Sequence, residues 1–210
     1  MKSTTIFFVR HGETDANLIN LVQGQTDVPL NQNGIKQAEI VGRRLHNTHF
    51  DCIYSSDLVR AKFTAQCIAN GRKINYTPKL REWSLGHWED KTLDQIKELF
   101  PEEFNLYNTV SDNFQPQGGE STKDFQQRAA DFLSFIAEKH QGEKILCVSH
   151  GGFIRNVLKT VLAIDKFTNR PRIDNTAISA FKTADGGKTW QLLFWNDSAH
   201  LQQVNESNAY

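Results

Sequence analysis

Two histidine-glycine pairs, His11-Gly12 and His150-Gly151, each close a run of apolar β-formers, and Arg10 stands directly before the first of them. A further arginine, Arg60, falls in the first turn of an expected helix. A cation there is unfavourable beside the helix's positive end unless an anion or solvent meets it. Brought together, two imidazoles and two guanidiniums suit a phosphate. Arginine forks match phosphate oxygens and keep their charge. Gly12 and Gly151 permit close backbone approach, and a helix N-terminus near Gly151-Gly152 adds N–H donors. One His-Gly pair alone fits a structural histidine as well as a reactive one; two such strand ends in one chain favour chemistry.

The elements that must position these groups follow from pattern. Ile6-Phe7-Phe8-Val9 lacks polar alternation, as in a strand covered on both faces of a parallel sheet. Crevices outside the carboxyl ends of such strands bind ligands. Residues 15–25 are polar and predict a loop with one helical turn. Asn31 caps a helix whose Ile35, Ala38, Val41 and Leu45 face the core. A second strand covers 51–56, and Ser56 is expected to cap a helix from Asp57 to about Asn70 that stops near Gly71. A weak strand at 73–76 leads to Arg81-Glu82-Trp83. Residues of about 83–118 form a lid-like insertion: a helix from Leu93 to Phe100, Pro101, an aromatic patch at Phe104 and Tyr107, then a loop. Ser121 caps an amphipathic helix with Phe125, Ala129, Phe132, Leu133 and Ile136 on one face. A strand over 144–149 and a helix from Phe153 to about Ala163 repeat the opening motif. Two strands around Asp185-Gly186-Gly187 predict a hairpin, and the polar last ten residues are expected to fray. The whole is expected to be one α/β domain over 1–210. Its architecture is a three-layer sandwich with a mostly parallel sheet, an antiparallel C-terminal edge hairpin, helices on both faces and a small helical lid.

With 24 Lys+Arg against 24 Asp+Glu, no global field favours nucleic acid or a membrane surface, so an anion site must be built locally. Cys52, Cys67 and Cys147 are odd in number and far apart, which argues against a disulfide framework. No apolar run is long enough to cross a membrane, and the first residues do not form a secretory segment, so a cytoplasmic protein is expected, monomeric or homodimeric. His46, His49, His87, His140 and His200 show no metal-ligand spacing, and no metal is expected.

Further pieces follow Phe8-Val9-Arg10-His11-Gly12-Glu13-Thr14 in order: Asn17, Gln23-Gly24, Pro29-Leu30, Ser55-Ser56-Asp57-Leu58 with Arg60, Arg81-Glu82 with Trp88-Glu89, Gly118-Gly119-Glu120-Ser121 and Ser149-His150-Gly151. Together they resemble the histidine phosphatase superfamily, which includes cofactor-dependent phosphoglycerate mutases, over nearly the whole chain. The resemblance implies that His11 is a nucleophile forming phosphohistidine, with its other ring nitrogen donating to a backbone carbonyl. It implies that Arg10, Arg60 and His150 offset charge on the transferring phosphoryl group, and that Glu82 is the general acid and base, favoured in its protonated form by the phosphate beside it. Asn17, Gln23, Gly24 and Gly151 would bind substrate, and neither metal nor cofactor is called for. Glu13 and Glu120 are either orienting carboxylates or helix-start acids, and Trp83, Trp88, Phe104 and Tyr107 are either lid core or a leaving-group pocket.

Within that family a mutase must hold a second anion. Between Trp83 and Gly118 the cations are Lys91 and Lys97, against Glu89, Asp90, Asp94, Glu98, Glu102, Glu103 and Asp112. The expected activity is therefore hydrolysis of a small phosphorylated metabolite (a sugar-, nucleotide- or ribazole-type phosphate), with the acidic lid disfavouring a second phosphate. Phosphoglycerate mutase is the alternative reading, and a phospho-ligand binding module without catalysis is a second.

Overall fold

In the computed structural model, which describes residues 2–109, 114–164 and 170–201, β1 (Thr4–Arg10) runs through the interior of a six-stranded sheet. The chain continues through α1 (Asp15–Leu18), β2 (Leu21–Val22), α2 (Gln32–Leu45), β3 (Cys52–Ser55), α3 (Val59–Ala69) and β4 (Asn75–Tyr76). The lid follows as β5 (Lys91–Thr92), α4 (Leu93–Leu99) and α5 (Pro101–Asn108). Then come α6 (Thr122–Lys139), β6 (Lys144–Ser149), α7 (Gly151–Leu162), β7 (Ile178–Thr183) and β8 (Gln191–Asp197). The sheet order is β4-β3-β6-β1-β7-β8; the first four strands are parallel, and β7 and β8 extend the sheet antiparallel, as the hairpin pattern predicts.

Strands buried on both faces separate two cores. Ile6 and Phe8 of β1 and Ile145 and Cys147 of β6 pack with Phe132 and Ile136 of α6 and Phe153 and Val157 of α7. Val9, Leu146 and Val148 point the other way, against Val41 and Leu45 of α2 and Ala61 and Ile68 of α3. Register then decides where the polar ends fall. Arg10 pairs with Ser149 and Ser55 with Val148, so three neighbouring parallel strands end together and deliver His11, His150 and Ser56 to one edge. The His11 N–H donates to Ser149 O at 3.0 Å.

Several boundaries differ from the sequence expectation. Asn31 and Ser121 cap α2 and α6 through Gly34 N and Asp124 N. Ser56 does not cap α3: the helix starts at Val59, whose N–H donates 2.6 Å to Asp27 Oδ1, while Ser56 Oγ is engaged by His150 Nε2. A carboxylate from another loop has replaced the local cap, which satisfies the same orphan donor and suits the helix dipole. The left-handed residue ending α3 is Asn70, ahead of Gly71. α7 begins at Gly151, two residues before the expected start. Within the lid, Pro101 opens a second helix, as proline does at a first helical position, and this helix carries the expected aromatic patch, for which the sequence pattern predicts no element. The lid has its own core of Trp88, Ile96 and Phe114, and β2 pairs with β5, tying the loop after β1 to it. The expected loop at 110–113 and most of the expected C-terminal fraying lie outside the described residues. Among the described residues no helix is long and apolar enough to cross a membrane.

Candidate active site

The turn after β1 sets His11. Its Nδ1 lies 2.7 Å from Gly12 O. A carbonyl only accepts, so Nδ1 carries the hydrogen and Nε2 keeps its lone pair. Gly12 is held by its N–H donating to Thr64 Oγ1, and Thr64 passes its own hydrogen to Arg60 O. A Cβ on Gly12 would fall within 3.0 Å of Gly34 C and closer still to its oxygen, so the turn needs glycine. Burial first, then Arg60 and Arg10, hold His11 well below the usual histidine range, which leaves the imidazole neutral. His150, its ring 5.1 Å from that of His11, is depressed by burial and then by Arg60, His11 and Arg10.

The arginines are fixed by backbone carbonyls. Arg10 Nη1 donates to Ile173 O at 2.8 Å, and burial, with Arg155 next, pushes its guanidinium down to about 10. Arg60 is fully buried, with Nη1 donating to Thr26 O and Nη2 to Gly24 O. The helix-start cation thus meets loop carbonyls rather than solvent. Arg10 Nε, Arg60 Nε and His150 Nδ1 are buried with no hydrogen-bond partner in the protein. Buried donors are rarely left so; three of them around one imidazole suit a ligand with several acceptor oxygens.

Glu82 faces this group across the start of α7. Its carboxylate accepts from Trp83 N, Gly152 N and Phe153 N at 3.0, 2.9 and 3.1 Å. The backbone behind it is clamped by Arg128, which donates to the carbonyls of Lys79, Arg81 and Glu82 while both its ends pair with Glu120. Arg81 forks onto Asp57 at 2.6 and 2.7 Å.

A buried neutral histidine between two fixed arginines, with a carboxyl group opposite, is the arrangement the sequence motifs anticipate, and the model of the histidine phosphatase superfamily (branch 1) matches residues 6–198. The chain belongs to this superfamily. It is 33% identical over 206 residues to an Arabidopsis thaliana protein named metal-independent phosphoserine phosphatase, covering 96% of this chain and 84% of that one. It is 36% identical over 204 residues to phosphoglycerate mutase-like protein 4 of the same plant, covering 95% and 87%. A phosphoserine phosphatase from Entamoeba histolytica, solved in complex with phosphoserine, superposes with a TM-score of 0.86 at 30% identity, covering 94% of this chain and 99% of that one.

Against the superfamily motif, the structure places the expected residues unevenly. Arg10, His11, Asn17, Gln23, Gly24, Arg60 and Glu82 line one cavity of about 350 Å³. Asn17 Oδ1 accepts from Thr14 N and Asn175 Nδ2, and Gln23 Oε1 accepts from Thr14 Oγ1, so their amide NH2 groups are what remain to meet a ligand. Gly24 has a φ of +48° and sits against Glu89, and its carbonyl holds Arg60. Glu89 in turn accepts from Gln25 N, Thr26 Oγ1 and Leu85 N, which makes it an organiser of both loops. His150 is fully buried beside His11 and is not itself among the cavity-lining residues, while its Nδ1 is left without a partner. Gly151 does not line the cavity either. The helix turns Gly152 inward instead, where a Cβ would fall within 3.0 Å of Glu82 Cδ and closer to Oε1.

The two acids left open resolve differently: Glu120 pairs with Arg128, whereas Glu13 accepts from Asn31 and Asn33 and, among the described residues, holds no arginine or histidine. Trp83 and Tyr107 line the cavity, and Trp88 and Phe104 belong to the lid core. Sequence reasoning missed Arg155, Asn156, Lys159 and Arg170, which also line it. The first three follow Gly152 at helical spacing, a readable signal; Arg170 comes from an irregular segment with none. None of the lid's described acids lines the cavity, and the nearest of them, Glu89, lies against Gly24, so the cavity lining gives the expected repulsion of a second anion no support. Among the described residues no cluster of histidine, cysteine, aspartate or glutamate is arranged to hold a metal.

Proposed function

We propose that this protein hydrolyses small phosphomonoesters without a metal, through a phosphohistidine on His11. The single observation that carries the reading is the state of His11: buried, neutral, with Nδ1–H fixed on Gly12 O and Arg10 and Arg60 beside it. In the first step His11 Nε2 bonds to phosphorus as the bond to the leaving oxygen breaks, and Glu82 gives that oxygen a proton. In the second, water attacks the phosphorus, Glu82 recovers a proton, and inorganic phosphate leaves with His11 neutral again. Arg10, Arg60 and the Nδ1–H of His150 stabilise the equatorial oxygens in both steps. Ser56 supports this by donating to His150 Nε2, 2.8 Å away, which turns the other nitrogen into a donor.

The relatives named for phosphoserine support a small phosphorylated metabolite as substrate. The test is phosphate release from a panel of monoesters in EDTA, with wild type and His11→Ala. Release in wild type only, with an acid-labile and alkali-stable phosphoenzyme, is the expected result; release that persists in His11→Ala refutes it. Arg155, Lys159 and Arg170 in the cavity, with the phosphoglycerate mutase-like relative, favour a second reading as a mutase. That reading requires isomerisation stimulated by a bisphosphate primer.

A further inference from the structure

Beyond the phosphate-binding floor the cavity stays cationic. Arg155, Lys159 and Arg170 line it, and Glu82, already engaged by three N–H donors, is the one carboxylate among the lining residues. Gly152, Arg155 and Lys159 stand at i, i+3 and i+7 of α7, so they share the face that Gly152 turns to Glu82. At 1.5 Å per residue, Arg155 originates roughly 4.5 Å and Lys159 roughly 10 Å further along the helix.

Arg155 is held in place by its Nε donating to Pro171 O at 2.9 Å. A Cβ on Gly151 would lie 3.4 Å from Arg10 Nε and 3.5 Å from Arg155 Nη1, so the floor's guanidinium and Arg155 flank the same point. The Arg170 guanidinium lies 4.5 Å from the ring centre of Tyr107, which itself lines the cavity. Among the described residues neither Arg155 nor Arg170 has an ion-pair partner. Burial lowers the Arg155 guanidinium, Glu82 raises it, and Arg170 lowers it again, so these two cations repel across a partly desolvated wall. An anion between them would remove that repulsion.

Resting on the phosphomonoester reading of the floor, we propose that Arg155 and Arg170 form a second anion subsite that recognises a carboxylate on the alcohol half of the substrate. A planar carboxylate accepts two parallel bonds from a guanidinium fork. The single turn separating Gly152 from Arg155 suits a carboxylate carried one or two carbons from the ester oxygen. Phosphorylated hydroxy acids and hydroxy amino acids meet that description; neutral and amine-bearing phosphates of the same size do not.

Two matched pairs test it: O-phosphoserine against O-phosphoethanolamine, and 3-phosphoglycerate against glycerol 3-phosphate. Wild type should favour the carboxylate member in kcat/KM by about tenfold or more, mainly through KM, and Arg155→Met or Arg170→Met should each lower that ratio about tenfold. Arg170 is exposed, so its variant carries no folding risk. A wild-type ratio near one, or a ratio unmoved in both variants, overturns the proposal. So does loss of discrimination between fructose 1,6-bisphosphate and fructose 6-phosphate while the carboxylate pairs stay unmoved, because the subsite would then read phosphate. Calorimetry of the same pairs on His11→Ala separates binding from turnover. Carboxylate-dependent binding without turnover in wild type keeps the subsite and removes the phosphatase reading. Turnover of all monoesters without carboxylate dependence does the reverse, and neither binding nor turnover removes both.

Discussion

Replacing Gly152 by alanine should separate the work of Glu82 from the stability of the fold. A Cβ there would meet Glu82 Cδ at 3.0 Å, with Oε1 closer, where carbon atoms normally stand about 3.5 to 4.0 Å apart. Glu82 is the movable party, because Gly152 belongs to a helix in ordinary backbone conformation and the carboxyl group ends a flexible side chain. The carboxyl should therefore swing by on the order of 1 Å and weaken its bonds from Gly152 N and Phe153 N. A displacement of that size costs about 100-fold in rate when it falls on a reacting group. Alanine in place of glycine favours the helix by about 0.5 to 1 kcal/mol, so the melting temperature should hold or rise slightly. The loss should depend on the leaving group. An alkyl phosphate needs a proton on its departing oxygen and should fall about 100-fold in kcat, whereas p-nitrophenyl phosphate, whose phenolate leaves unaided, should fall far less. Gly151→Ala is the control, since its Cβ would meet only ordinary contacts at 3.4 to 3.5 Å. Equal losses for both leaving groups, or a fall in melting temperature that accounts for the lost activity, would refute the reasoning.

His11 and His150 are both held neutral by burial, so below pH 6.5 the unfolded chain takes up protons that the folded chain refuses. Stability should be fully present above pH 6.5 and fall as pH drops, by about 1.4 kcal/mol per pH unit for each histidine; urea midpoints at pH 7 and 5.5 should converge in His150→Asn relative to wild type, and parallel slopes would contradict this. Arg128→Met leaves three carbonyls and the Glu120 carboxylate short of donors, and should cost about 2 to 3 kcal/mol by denaturation while lowering kcat more than KM. Adding Glu120→Gln should recover part of the stability but not of kcat. Asp27→Ala removes the carboxylate that caps α3 and should cost about 1 kcal/mol in denaturant; no change would mean that water replaces the cap. Glu98→Gln with Glu102→Gln, both exposed and off the cavity, should change kcat/KM for phosphoserine less than twofold, being screened by salt.

The floor of the site was legible because its residues are neighbours in sequence to the strands that carry them. An unbroken apolar run ends at Arg10-His11 and another at His150, and the pairing of Arg10 with Ser149 converts those two chain positions into one place. Periodicity also located α2 and α6 with their caps, since Asn31 and Ser121 act on donors three residues away. What sequence spacing missed is what depends on distant partners. Ser56 was free to cap α3 in local terms, but His150 is 94 positions away and claims its hydroxyl, and Asp27 takes over the helix end from 32 positions away.

The same difference bears on reading substrate charge from the lid. Counting lid carboxylates treated proximity in sequence as proximity to the ligand, whereas α4 and α5 turn Ile96, Phe104 and Tyr107 toward Trp88 and leave Asp94, Glu98 and Glu102 to solvent. Beyond Arg10 and Arg60, much of the charge that faces the cavity comes from α7, a helix read from sequence only for its extent and for the donors at its N-terminus. One face of that helix holds Phe153, Val157 and the core; the adjoining one begins with the N–H groups that grip Glu82 and continues into Arg155. Under the proposed mechanism, the group that holds the proton donor Glu82 and the proposed reader of a second charge, Arg155, therefore belong to one rigid helix, spaced by the helical rise and not by the lid. If the proposed subsite holds, replacing the lid should leave the accepted distance between phosphate and carboxylate unchanged, because the turn from Gly152 to Arg155 sets it.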